Sequence, residues 1–140
     1  MNTLIPIYET ICNRIAAAAR RSGRDPEAVR LVAVTKTHGP ETVRDAVDAG
    51  MDCFGENKVQ EAAWKIPLAP ACAHWHLIGH LQSNKAKQAV RLFETIHSVD
   101  SAKLFDTLEA AARQSGTRPE FYLEVNVSGE PSKYGLTPTA

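Results

Sequence analysis

Short apolar, β-branched runs alternate with helical stretches along the whole chain, and this alternation restricts the fold more than any other feature. Leu31-Val32-Ala33-Val34-Thr35 is continuous and β-branched. Such a run suits a strand buried on both faces, as in a parallel sheet. His38-Gly39-Pro40 breaks it, and residues 40–49 place Val43, Ala46 and Val47 on one helical face before Gly50. The pattern then recurs. Strands are predicted at residues 52–55, 75–79, 95–99 and 121–127, and helices at residues 57–66, 84–93 and 102–114. A leading helix over residues 4–21 carries Leu4, Ile7, Ile11, Ile15, Ala18 and Ala19 at spacings of three and four. Asp25-Pro26-Glu27 reads as a cap with at most a short helical turn, Ser83 as a candidate cap, and Thr137-Pro138 as the start of a further helix. Strands alternating with helices predict βαβ units and a parallel sheet.

Two parallel architectures compete. A doubly wound nucleotide-binding fold wants a glycine-rich turn after its first strand, GxGxxG or GxxxxGK[ST]. The turn here is Lys36-Thr37-His38-Gly39-Pro40, which is neither. Polar residues instead follow every predicted strand: Lys36, Glu56-Asn57, His80, Asp100, and Asn126 with Ser128. A (β/α)₈ barrel builds its site at those ends, although an open sheet does so too. Five strands in 140 residues fall short of a closed eight-stranded barrel, which needs about 250 residues. The expectation is an α/β fold with residues 1–140 as a single domain. That domain is the N-terminal portion of a (β/α)₈ barrel, about five of its eight strands, with the C-terminal strands absent.

Composition narrows the partners. Apolar residues make up 44% of the chain and charged residues 23%, with 16 Lys and Arg against 16 Asp and Glu. That excludes a disordered tail and a polybasic nucleic-acid arm. Cys12, Cys53 and Cys72 are widely spaced, odd in number and lack a CxxC, which fits a reducing compartment. Glu9 and Arg14 interrupt the first apolar stretch, so neither a signal peptide nor a membrane span is predicted. A soluble, cytoplasmic protein is expected.

Lys36 is the sharpest candidate for chemistry. Val32, Val34 and Lys36 alternate onto one strand face. A lysine in an apolar barrel mouth loses hydration, which favours the neutral amine that forms Schiff bases with carbonyls. The alternative is a strand-end lysine that snorkels to water. Asn57 offers a donor and an acceptor to a ring substituent, or caps the next helix. Gly55 allows close approach of a ligand or backbone, and Glu56 either pairs with a barrel lysine or faces solvent. His80 is placed to face the site. Ser83 and Asn84 open a predicted helix, where an anion can bind, though capping is the simpler role. Lys85, Lys87 and Arg91 read as a solvated helix face. His74-Trp75-His76 places two imidazoles on one side of a strand, but core or surface histidines are favoured over a metal site. Glu124 and Asn126 alternate with Tyr122 and point to a polar barrel interior, with residues 128–133 as a loop.

Four motifs then fall in order: Leu31-Val32-Ala33-Val34-Thr35-Lys36-Thr37, Phe54-Gly55-Glu56-Asn57-Lys58-Val59-Gln60-Glu61, Trp75-His76-Leu77-Ile78-Gly79-His80-Leu81-Gln82-Ser83-Asn84-Lys85, and Glu124-Val125-Asn126-Val127-Ser128 with Lys133-Tyr134-Gly135-Leu136. Together they resemble the pyridoxal phosphate homeostasis protein family, also called the PLP-binding or YggS-like family. The resemblance implies one barrel domain similar to the N-terminal domain of alanine racemase. It implies pyridoxal 5′-phosphate (PLP) held as a Schiff base on the lysine after the first strand, Lys36 here. It implies a monomer without the racemases' second domain, with no established catalysis and a role in controlling free PLP. The family's phosphate-holding loops follow late strands, outside residues 1–140. The cofactor-binding residues expected are Lys36, Asn57 and His80, with no catalytic or metal-binding residue. A racemase-like PLP enzyme, a metal-dependent barrel hydrolase using His74 and His76, and a nonfunctional fragment stand as alternatives.

Overall fold

A computed structural model of the chain describes residues 2–139. Helix α1 spans Leu4–Arg21, followed by a 3₁₀ turn at Pro26–Ala28, where the Asp25 side chain accepts from the Glu27 amide. Strands and helices then alternate: β1 (Ala33–Val34), α2 (Pro40–Asp48), β2 (Cys53–Glu56), α3 (Val59–Lys65), β3 (His74–Leu77), α4 (Ala86–Leu92), β4 (Thr95–Val99), α5 (Ala102–Ser115) and β5 (Glu120–Leu123). The five strands form one sheet in chain order, and every neighbouring pair is parallel. This is the expected (β/α) arrangement with both edges open.

The register divides the sheet into two faces. Phe54 pairs with Trp75, and Leu77 with Ile96. These four side chains are buried and pack with Val43, Ala62, Ala89, Val90 and Leu108 from the helices. Phe54 and Trp75 meet with ring centroids 5.5 Å apart. Because side chains alternate along a strand, the opposite face carries Val34, Gly55, His76, His97 and Tyr122. In a closed barrel that face is the interior. Here Val34 and Tyr122 are exposed.

Several boundaries differ from the sequence reading. β1 keeps two residues of its apolar run, because only β2 pairs with it. β5 ends at Leu123 rather than residue 127. Beyond it the chain loops out and returns, with Leu136 donating its N–H to the Glu124 carbonyl and Asn126 donating to the Leu136 carbonyl. Ser83 does not cap α4. Ser83–Lys85 is a 3₁₀ turn ahead of the helix, and Lys85 stands at the cap without a side-chain bond. Thr137 and Pro138 lie in coil and turn, not helix. The α5 cap is Ser101, whose hydroxyl accepts from the Leu104 amide, and Gly116 closes that helix at φ +67°. Among the described residues no helix is long and apolar enough to cross a membrane.

Candidate functional site

The C-terminal ends of parallel strands gather the loops that bind ligands. Lys36 lies two residues past Val34, on the same side as Gly55. Thr35 points the other way, toward the helices, where its hydroxyl donates to Glu56 Oε1 at 2.7 Å. Lys36 therefore projects from the open face. Its side chain is exposed. The described residues leave its amine accessible and do not supply the burial that the sequence reading expected.

The turn that carries Lys36 is fixed from below. Lys65, on the last turn of α3, is fully buried and forms an ion pair with fully buried Glu56. Its ammonium also donates to the Thr35 carbonyl at 2.8 Å and to Glu61 at 3.0 Å. Glu56 thus faces neither the barrel interior nor solvent. It sits on the helix side of β2, because it shares that face with Phe54 two residues earlier. Burial works to raise the Glu61 carboxyl pKa. Hydrogen bonds from Lys65 and the Thr37 amide, with the charges of Lys65 and Lys58, outweigh burial and hold it below the ordinary value.

Asn57 follows β2 and is half-buried. It does not cap α3. Lys58 occupies the cap position, without a side-chain hydrogen bond. Close backbone approach occurs at Gly79 rather than Gly55: a Cβ on Gly79 would run into the Asn57 backbone. At Gly55 the neighbours are the side chains of Val32 and Ile78. The Gly79 contact locks the loop after β3 onto the loop after β2 and sets His80 beside the Asn57 segment. The His80 side chain is 34% exposed, with Nδ1 3.4 Å from Asp100 Oδ2. Its ring stacks on Tyr134 at a centroid distance of 3.7 Å and an angle of 10°. Lys36, Asn57, His80 and Asp100 thus mark successive strand ends, with Tyr134 brought over from the last loop. Tyr134 was not singled out in the sequence, although it stands in the quoted Lys133-Tyr134-Gly135-Leu136 motif.

Other candidates separate from this arc. Ser83 and Asn84 are exposed. Asn126 organises its own loop, accepting from Gly129 N–H and Ser128 Oγ and donating to the Glu130 carbonyl, instead of lining an interior. His74 and His76 take different partners: His74 meets Glu94, and His76 meets His97. Among the described residues no group of three or more His, Cys, Asp or Glu could hold a metal ion. A cleft of about 670 Å³ lies at the opposite end of the sheet, between Arg30, Glu94 and Arg118.

A lysine at the open end of the first strand, with an aromatic and amide arc along the neighbouring strand ends, sits on a fold of the (β/α)-barrel class. Residues 9–140 match the family model described as alanine racemase, N-terminal domain, and the chain belongs to that family. It is 43% identical over 140 residues to a pyridoxal phosphate homeostasis protein of Pseudomonas aeruginosa, and 36% identical to one of Escherichia coli K12. Those matches take in 99% and 97% of this chain and 60% of each relative, so the chain spans about three-fifths of their length. Among solved structures it is similar to PipY of Synechococcus elongatus, determined with PLP bound. That match has a TM-score of 0.74 and 42% identity, over 92% of this chain and 59% of that one. An alanine racemase of Clostridium difficile, at 13% identity and a TM-score of 0.66 over 79% of this chain and 29% of that one, shares the fold. The resemblance read from the four motifs and the barrel-type fold are both borne out.

Proposed function

We propose that this chain is the N-terminal part of a PLP-binding protein of PLP homeostasis, with Lys36 holding the cofactor as a Schiff base. The observation that carries the reading is the exposed Lys36 amine on the open face at the end of β1, in a chain whose relatives bear that name. An aldehyde needs an accessible primary amine, and the exposed Lys36 side chain fits that requirement. When bound, the group supplies an electrophilic aldehyde and a phosphate. The chain's own residues supply the amine and its surroundings. Asn57 presents an amide to a ring substituent, and His80 presents a flat imidazole held by Tyr134 and Asp100.

The five strands form the first part of one closed barrel. Five of eight strands agrees with the three-fifths share of the relatives' length. We place the protein in the cytoplasm as a monomeric carrier without catalytic turnover or nucleic-acid partner. The zero net charge supports the absence of a nucleic-acid partner, and the three unpaired cysteines support a reducing compartment.

The test is made on the full gene product. Mixed with PLP, it should develop a visible-edge absorbance band that borohydride abolishes, and peptide mapping should find the pyridoxyl group on Lys36. Lys36→Ala should lose the band. A label on another lysine overturns the assignment. Racemisation of an amino acid by the loaded protein overturns the carrier reading.

A further inference from the structure

The residues on either side of Lys36 are both tied to one charge cluster beneath the sheet. The Lys65 ammonium has three protons and meets three acceptors: the Thr35 carbonyl at 2.8 Å, Glu56 Oε1 at 2.5 Å and Glu61 Oε1 at 3.0 Å. Glu56 Oε1 also takes the Thr35 hydroxyl at 2.7 Å. Glu61 Oε1 also takes the Thr37 amide at 2.5 Å. Thr35 is therefore held at its carbonyl and hydroxyl, and Thr37 at its N–H. Both peptide planes that set the direction of Lys36 are fixed from the face its side chain points away from.

Two features argue that the cluster does more than stabilise the fold. Thr37 has φ +66°, the sole positive φ outside glycine among the described residues. A side chain beyond Cα disfavours that conformation, so something must hold it. Second, Glu56 Oε2 is buried without a hydrogen-bond partner, and both charges of the pair are fully buried. Well-packed apolar residues often replace such a pair at no loss of stability. What apolar residues would not do is grip the Thr35 carbonyl and the Thr37 amide.

We propose that Lys65, with Glu56 and Glu61, is the positioning device for Lys36, fixing the turn so that its amine is presented toward the open face. This deepens the proposed function and rests on Lys36 being the imine-forming residue.

The experiment uses the full gene product and two variants. Glu61→Gln releases the Thr37 amide from a charged acceptor at a partly exposed helix position. The double variant Lys65→Met with Glu56→Gln removes both buried charges together, so that neither is stranded. Three quantities are measured: the thermal midpoint, the rate at which an amine-reactive reagent labels Lys36 in cofactor-free protein relative to exposed Lys103, and the Kd for PLP. The expected result is a midpoint within a few degrees of the parent. The relative Lys36 labelling rate should change at least threefold, and PLP affinity should fall tenfold or more. A variant that folds, labels and binds like the parent overturns the proposal. If the double variant does not fold, Glu61→Gln decides alone by the same readings. Lys36→Ala, run in parallel, separates the two claims. If it still binds PLP with the full absorbance band, the Lys36 reading falls, while the cofactor-free labelling rates still decide whether the cluster controls the amine.

Discussion

His76 Nδ1 lies 2.8 Å from His97 Nε2, across the pairing of β3 with β4. One ring must donate and the other accept, so at least one imidazole has to stay neutral. Burial lowers the pKa of His76, and the positive charges of His97 and Arg30 add to it against the opposing pull of Glu94 and Glu120. Burial also lowers that of His97. Tyr122 stacks on the His97 ring at 5.1 Å. The sheet thus holds a hydrogen-bonded imidazole pair on its open face, with burial biasing both rings toward the neutral form.

That pair predicts an acid-side loss of stability. Both folded pKa values lie below the unfolded one, near 6.5. The unfolded chain therefore binds more protons as pH falls. The stabilisation is complete above about pH 6.5 and is lost as pH drops through the folded values. Urea midpoints of the full gene product should fall between pH 7 and pH 5. A His76→Gln, His97→Gln double variant should show a shallower fall. An unchanged slope would place the titration elsewhere.

Glu61 gives a second, lower window. Its folded pKa is depressed, so its contribution is present above the unfolded carboxylate value of about 4.3 and is lost as pH falls below it. Glu61→Gln should leave the pH 5–7 limb unaltered and flatten the melt-against-pH curve below about pH 4.3. Flattening of the upper limb instead would mean that Glu61 does not carry this window.

The core makes a prediction about packing. Leu108 on α5 is fully buried, whereas Leu68, after α3, is exposed. Leu108→Ala removes contacts and leaves a cavity, at a cost of about 2–5 kcal/mol. Leu68→Ala should stay within about 0.5 kcal/mol. Chemical denaturation of the full gene product distinguishes them, and equal effects would contradict the layer assignment.

Much of this was legible because strand and helix periods differ so clearly. Residues 95–99 read as a strand and are one, and α5 starts and stops at Ser101 and Gly116 as capping chemistry dictates. The expected β5 runs past the observed one because Val125 and Val127 have strand propensity. Propensity needs a partner to act on: Glu124 N–H still reaches the Val99 carbonyl, but from Val125 onward the neighbour is the returning loop, not β4. Lys36, Asn57 and His80 are legible as strand-end residues. Lys65 does not stand out in the sequence because a helical lysine ordinarily faces water. Its signal was there: Val59, Ala62 and Lys65 fall at three-residue spacing on the buried stripe of α3.

The open edges predict the behaviour of residues 1–140 alone. Among the described residues β1 and β5 each lack a neighbouring strand on one side, and Val34, Leu123 and Val127 are exposed beside them. Unpaired edges with apolar side chains template association. Sedimentation should show concentration-dependent species, with a broad thermal transition. A sharp, concentration-independent melt of a dilute monomer would contradict this.

Phosphate discrimination is the last expectation. A lysine amine alone forms weak, reversible imines in water, so tight binding of PLP requires donors for its phosphate. Charge-assisted hydrogen bonds contribute roughly 1.5–3 kcal/mol each. The described strand ends offer few: Asn57 is one amide, and Ser83 and Asn84 lie exposed on a 3₁₀ turn ahead of a seven-residue helix. Two or three missing donors cost on the order of 3–9 kcal/mol, which turns micromolar binding into roughly 0.1 mM at the lower bound and millimolar or weaker above about 4 kcal/mol. Residues 1–140 should therefore bind pyridoxal and PLP weakly and about equally, while the full gene product prefers PLP by roughly a hundredfold or more, the lower part of that range. Parallel titrations of both ligands into both proteins measure the difference. If residues 1–140 alone prefer PLP as strongly as the full product does, the phosphate donors lie within them. Ser83→Ala and Asn84→Ala would then be the first substitutions to abolish the preference.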